Sequence, residues 1–296
     1  MLAVLTTYFN PAGYETKQKN MQSFLASMER DSITPIIVEL AFDEQPYRIP
    51  EALHVRATSK LWQKERLLNI AMDALPASID KIAWVDNDII FRNRNWLKQT
   101  ELALDEFDVV QPFERAVRLP KECTDLIGGT QVIQSLGYRV VRLGKEIFES
   151  DQEVKTGTVG YAWAARREVL ERAGGFYDRA IMDGGDRYMA KAFVGCATDT
   201  LFDGRGSWRQ IAHFKEWAAK IGNCKVGFVP GTILHLWHGD LKNRKYTERH
   251  QLFRQFNFDP IRDIKVAHNG VFEWATEKFE LHRAVADYFI SRKEDG

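Results

Sequence analysis

The chain has 296 residues, 45% of them hydrophobic, enough to bury the core of one large α/β domain or two modest ones, so disorder does not dominate it. Lys plus Arg and Asp plus Glu each number 41, so no global charge draws the protein toward nucleic acid or an anionic membrane, and any basic site is local. Three cysteines, Cys123, Cys196 and Cys224, form no C-x-x-C pair; this argues against a disulfide framework or zinc knuckle and for a reducing, cytoplasmic setting.

Residues 1–7 lack a basic n-region and soon turn polar, so they read as a buried first strand rather than a signal peptide. No apolar run approaches the roughly 20 residues of a membrane helix, so no stable membrane insertion is expected. After that strand, closed by Asn10-Pro11, residues 14–30 carry Met21, Phe24, Leu25 and Met28 at helical spacing. Residues 35–42 and, more weakly, 52–57 read as strands. Residues 61–75 show the apolar stripe of a buried helix ended by Pro76, and residues 81–85 form another buried strand running directly into Asp86-Asn87-Asp88. This alternation predicts an α/β fold with a mostly parallel central sheet flanked by helices.

The second half is less regular. Strands are predicted at 108–111 and 157–165, a helix at 166–173 stopped by Gly174-Gly175, and a helix at 186–194 opened by Gly184-Gly185. A strand pair around Pro230-Gly231 spans 225–235, followed by a basic loop, a helix at 246–256 and a terminal amphipathic helix at 272–292. Residues 115–156, with Gly128-Gly129, are the least legible stretch and read as a mobile loop over the site.

In parallel α/β sheets ligands collect beyond the carboxyl ends of the strands, which is where Asp86 and Asp88 sit. Their i, i+2 spacing in an extended segment turns both carboxylates to one side, and two hard oxygen ligands suit Mn²⁺ or Mg²⁺ bridging to phosphate. The plainer alternative is that such acids cap the following turn, since a three-residue motif also arises by chance. Glu39, Asp43, Lys64 and Arg66, at strand ends or on the facing helix, are candidate nucleoside contacts, or equally surface residues and structural ion pairs. Trp163, Trp208 and Trp237 are candidates for an aromatic wall, with the core as their commoner destination.

Thr6-Thr7-Tyr8-Phe9-Asn10, the segment Lys64-Glu65-Arg66-Leu67-Leu68-Asn69, and Ile82-Ala83-Trp84-Val85-Asp86-Asn87-Asp88-Ile89-Ile90-Phe91 together resemble the nucleotide-binding half of GT-A glycosyltransferases. Downstream, the run from Gly160-Tyr161-Ala162-Trp163 through Ala173-Gly174-Gly175-Phe176, then Asp183-Gly184-Gly185-Asp186, resembles the acceptor half of inverting, family-2-like members. His235-Leu236-Trp237-His238-Gly239-Asp240, followed by Lys242-Asn243-Arg244, resembles the late His segment of galactosyltransferases and chondroitin-type polymerases. The resemblance spans residues 2–260. It implies one GT-A catalytic domain over 1–296: a nucleotide-sugar-binding half (1–112), an acceptor-binding half (113–260) and a C-terminal helical extension (261–296).

The resemblance further implies a nucleotide-sugar donor, by default a UDP-hexose, held partly through Thr6, Thr7 and Tyr8. Asp88 and His238 are its expected metal ligands, with Asp86 binding directly or through water and His235 as an outer or additional ligand. Lys242, Arg244 and Lys245 would face the diphosphate or close over it, a solvated face being the commoner role of such a basic run. The family's double-glycine motif usually continues Glu-Asp; here Gly184-Gly185 precedes one acid, Asp186, so the base is expected to be Asp186 with Asp183 as competitor and helix capping as the alternative for either. The expected acceptor is a glycan or glycoconjugate. A further likeness, to a phage-associated branch, admits hydroxymethylated pyrimidines in DNA, which would need a basic groove and an extruded base. A haloacid-dehalogenase-type phosphatase also uses D-x-D after a strand, but normally the first strand. A non-catalytic sugar-binding module is the rival of another class.

Overall fold

The computed structural model describes residues 1–126, 130–144, 157–197, 206–245 and 248–296. Strand β1 (Leu2–Phe9) has six of its eight residues buried, as a central strand covered on both faces requires. Around it the first half alternates as read from the sequence: α1 (Glu15–Arg30), β2 (Ile36–Phe42), β3 (Leu53–Ala57), α2 (Lys64–Asp73) and β4 (Lys81–Val85). There follow β5 (Ile89–Phe91), α3 (Trp96–Glu106), β6 (Val109–Gln111), β7 (Arg115–Arg118), β8 (Gln131–Gln134), α4 (Leu136–Leu143) and β9 (Ala162–Arg166). The remainder comprises α5 (Arg167–Glu171), α6 (Gly185–Phe193), α7 (Trp208–Ile221), β10 (Val226–Phe228), β11 (Thr232–His235), a 3₁₀ turn (Leu241–Arg244), α8 (Glu248–Gln255), β12 (Ile264–Val266), β13 (Phe272–Trp274) and α9 (Phe279–Ser291).

The main sheet has seven strands in the order β10-β6-β9-β4-β1-β2-β3, all parallel except β9, which runs against both its neighbours. The carboxyl ends of β1 and β4 therefore lie on the same edge as the entry to β9. A second sheet, β5-β11-β7-β8, stands beside that edge, and its antiparallel register pairs His235 with Ile89. Among the described residues no helix is long and apolar enough to cross a membrane.

Trp84 and Trp163, paired across β4 and β9, are buried in the core, where Trp84 meets Phe176 edge-on at 4.9 Å. Trp163 is thus a core residue and not part of an aromatic wall; Trp208 is 65% exposed with Arg209 stacked on its ring. Three other boundaries differ from the sequence reading. The 225–235 strands join different sheets, the turn at Pro230-Gly231 handing the chain from one to the other. Residues 272–292 divide into β13 and α9, so the segment 261–296 holds a small hairpin, β12 with β13, as well as a helix. Within 115–156 the described residues include β7, β8 and α4, whereas Gly128-Gly129 and 145–156 lie outside the described residues.

Helix α6 starts against α2: a Cβ on Gly185 would stand 2.2 Å from Glu65 Oε1 and 2.3 Å from its Cδ. Glu65 is itself buried, and burial pushes its carboxyl well above the usual range. Gly185→Ala is therefore expected to cost about 1–3 kcal/mol by overpacking, read as a lower urea midpoint with an unchanged slope. An unchanged midpoint would show that the close approach is not under constraint.

Candidate functional site

A cavity of about 490 Å³ opens where the two sheets meet and is lined by Thr7, Lys64, Asp86, Asp88, Asp186, His235, His238 and Arg244, among others. Its size lies within the range of small-molecule sites. The register that pairs His235 with Ile89, with the Leu236 N–H donating to the Asp88 carbonyl at 2.8 Å, carries the His segment to the end of the D-x-D turn.

Asp88, His235 and His238 form a cluster whose potential ligand atoms all lie within 4.8 Å of one another. The His238 Nε2 is 3.3 Å from Asp88 Oδ2 and 2.9 Å from His235 Nε2. Burial, followed by the nearby Arg244 charge, lowers the pKa of His235 to about 3 and of His238 to about 4, so both rings stay neutral, the form that binds metals. Asp88 Oδ1 is buried with no hydrogen-bond partner among the described residues. An orphaned carboxylate oxygen beside two neutral imidazoles fits a divalent cation, which would take up what the protein leaves unsatisfied. The Arg244 guanidinium lies against this locus, 2.7 Å from His238 Nε2, so the position already attracts positive charge.

Asp86 points elsewhere. Its Oδ1 pairs with Lys64 Nζ at 2.5 Å and its Oδ2 accepts from the Tyr161 N–H at 3.2 Å, so the two carboxylates do not converge as the i, i+2 rule predicts. The reason is local: β4 ends at Val85, and residues 87 and 88 form a turn in which strand alternation no longer holds. Burial raises the Asp86 pKa to about 7, against the opposing effect of Lys64.

Lys64 also reaches Asp186, at 3.0 and 3.1 Å to its two oxygens. It is thus the bridge between the D-x-D turn and the first turn of α6, where the helix dipole favours an anion. Burial raises the Asp186 carboxyl pKa, with Lys64 acting the other way. Its neighbour Asp183 sits in left-handed backbone (φ 69°) and accepts from Arg249 at 2.8 Å and Arg292 at 3.4 Å. Burial works against ionisation there, but the two guanidinium groups prevail and hold the carboxyl well below its usual range.

Several residues singled out from the sequence are not on the cavity wall. Thr6 is buried and donates to the Val85 carbonyl, and Tyr8, on β1 itself, is buried in the core cluster that includes Met21 and Phe24. Glu39 accepts from the N–H groups of Arg48 and Ile49 at 2.7 and 2.9 Å, fixing the loop before β3. Arg66 ties Gly270 and Asp178, Asp43 supports a turn through its carbonyl, and the Lys242 side chain is 79% exposed beside Asp240. Trp237 lies under Lys121, outside the cavity lining. Conversely, the cavity includes Phe9, Lys17, Trp62, Arg118, Tyr161, Arg249 and Arg292, which sequence reasoning missed. Phe9, Lys17 and Tyr161 carried a hint, Phe9 as the last residue of β1, Lys17 in the first turn of α1 and Tyr161 within the Gly160-Tyr161-Ala162-Trp163 motif; the rest depend on tertiary contacts.

No protein-family model and no curated protein matches the sequence. Similar solved structures include the catalytic domain of Drosophila β1,4-galactosyltransferase 7 with xylobiose, 14% identical over 67% of this chain and 62% of that one, TM-score 0.37. A mutant of that enzyme complexed with manganese, UDP-Gal and xylobiose is 12% identical over 67% and 63%, TM-score 0.37. Mannosyl-3-phosphoglycerate synthase from Rubrobacter xylanophilus is 12% identical over 94% and 85%, TM-score 0.39. The chain spans less than two-thirds of the length of the galactosyltransferase chains it matches.

Proposed function

We propose that this chain is a metal-dependent glycosyltransferase of the GT-A type, moving a sugar with inversion from a nucleoside-diphosphate donor, a UDP-sugar in the first instance, to a hydroxyl of a glycan or glycoconjugate. The observation that carries the reading is that a fitting cation site, Asp88 with His235 and His238, and a candidate base, Asp186, line one cavity at the carboxyl edge of a parallel sheet. Asp88, His235 and His238 would hold the cation, which when bound would supply Lewis-acid stabilisation of the leaving diphosphate. Arg244 and Lys17 add positive charge on the same wall, and Trp62 and Phe9, in edge-on contact at 5.1 Å, give it an apolar face.

Asp186 accepts the proton of the acceptor hydroxyl as that oxygen attacks the anomeric carbon from the side opposite the diphosphate, so the configuration inverts. Asp186 suits this role better than Asp183, whose lone pairs are taken by two arginines and whose proton affinity is accordingly low. Lys64 works against the burial that raises the Asp186 pKa and so favours its ionised form. A binding module would have no need of a carboxylate poised in this way beside a cation site.

The ligand set also orders the metals. Two imidazoles and one carboxylate suit Mn²⁺ better than Mg²⁺, which prefers an all-oxygen octahedron. Release of UDP from a UDP-hexose, with and without acceptors, tests the reading: turnover in Mn²⁺ at least about tenfold above that in Mg²⁺, and none in EDTA, is expected. Equal rates in EDTA would exclude the metal-dependent mechanism. Running the same assay with oligosaccharides and with hydroxymethylated DNA as acceptors separates the two acceptor classes.

A further inference from the structure

Beyond α9 the chain turns back on itself through Arg292, Lys293 and Glu294 and enters the site from behind. Several contacts pin it there. Asp295 accepts from the Thr16 and Glu15 N–H groups at 2.8 and 3.2 Å, capping the start of α1. The Tyr14 hydroxyl accepts from the Lys293 N–H at 3.0 Å. Gly239, one residue past His238, packs so closely that a Cβ would stand 2.9 Å from the Lys293 carbonyl and 3.0 Å from that of Arg292.

The turn delivers Glu294, 1% exposed, to the back of the His238 ring, its Oε1 3.6 Å from Nδ1. Arg292 pairs with the same oxygen at 2.5 Å and reaches Asp183 at 3.4 Å. The other Glu294 oxygen, Oε2, is buried with no hydrogen-bond partner among the described residues. Burying a carboxylate is costly, and a buried pair serving stability alone is commonly matched by an apolar one. The placement asks for a second reason.

His238 supplies it. When Nε2 faces a cation beside Asp88, the proton of the neutral ring resides on Nδ1 and needs an acceptor. The Arg244 Nη2 stands closer to that nitrogen, 2.5 Å against 3.6 Å for Glu294, but a guanidinium only donates and cannot take the proton. The cation-bound arrangement therefore requires Arg244 to withdraw and Glu294 to close to hydrogen-bond distance. We propose that Glu294 is a positioning residue of the metal centre, accepting from His238 Nδ1–H so as to fix the tautomer and aim Nε2 at the ion. The inference rests on the metal site proposed above. Through Arg292 the same turn also grips the Asp183 end of the loop that carries Asp186, so one short segment sets both halves of the site.

The test is Mn²⁺ binding without nucleotide, followed by the electron spin resonance signal of the free ion, on the wild type and on Glu294→Leu, Glu294→Gln and Asp295→Asn. Affinity about 10- to 100-fold weaker in Glu294→Leu, which has no acceptor, partial recovery in Glu294→Gln, whose carbonyl still accepts, and no change in Asp295→Asn is the expected pattern. A lowered melting temperature with wild-type Mn²⁺ affinity in both Glu294 variants gives Glu294 a structural role alone and overturns the proposal. Absence of Mn²⁺ binding by the wild type removes the metal site itself, a failure distinct from that of Glu294.

Discussion

Asp88→Ala is expected to abolish metal-dependent sugar transfer while leaving the protein folded. Asp88 contributes the single carboxylate of the cluster, the hardest ligand and the one whose charge offsets the cation. Without it, two neutral imidazoles would hold a divalent ion weakly at the cavity wall. If the site supplies about 4 kcal/mol of stabilisation to the developing diphosphate charge, its loss lowers turnover about 10³-fold. The fold should tolerate the change, since among the described residues Oδ1 has no hydrogen-bond partner and Oδ2 faces only the two histidines of the cluster, and the Leu236 bond is to the Asp88 backbone. Turnover at saturating donor and Mn²⁺, together with the melting temperature, is the measurement; activity within tenfold of wild type would place the ion elsewhere.

Asp186→Asn should act on a different step. The amide keeps the size and much of the hydrogen bonding of the carboxylate but takes no proton, so kcat falls by about 10²- to 10⁴-fold, the usual worth of a general base. Donor binding should be nearly unchanged, because Lys64 retains its shorter contact, to Asp86. The split between kcat and donor affinity is therefore the informative readout. A large loss of donor affinity with unaltered kcat would instead make Asp186 a binding residue and return Asp183 to consideration as the base.

The sequence was most legible where structure is local. The first five elements follow from apolar periodicity and from Pro11 and Pro76 as punctuation, and the D-x-D turn was locatable because a buried strand runs straight into it. Short, half-exposed elements such as β7, β8 and α4 give too few residues for a period to register. In the site, Asp88 could be read from position alone, but His235 and His238 owe their place to the pairing of β11 with β5, and only the family resemblance pointed to them. Asp86 shows the opposite failure: spacing suggested a paired ligand, whereas the turn gave it to Lys64. Arg292, the last residue of the predicted terminal helix, and Glu294 just beyond it were invisible because their site partners, Asp183 and His238, are remote in sequence.

The most direct test of a metal-dependent donor site is a calorimetric titration of the purified protein with a panel of nucleoside diphosphates, first in Mn²⁺ and then in EDTA. Saturable binding of one diphosphate, UDP in the first instance, that disappears in EDTA is the expected result. Binding of equal strength in EDTA, or no binding of any diphosphate in Mn²⁺, would contradict it.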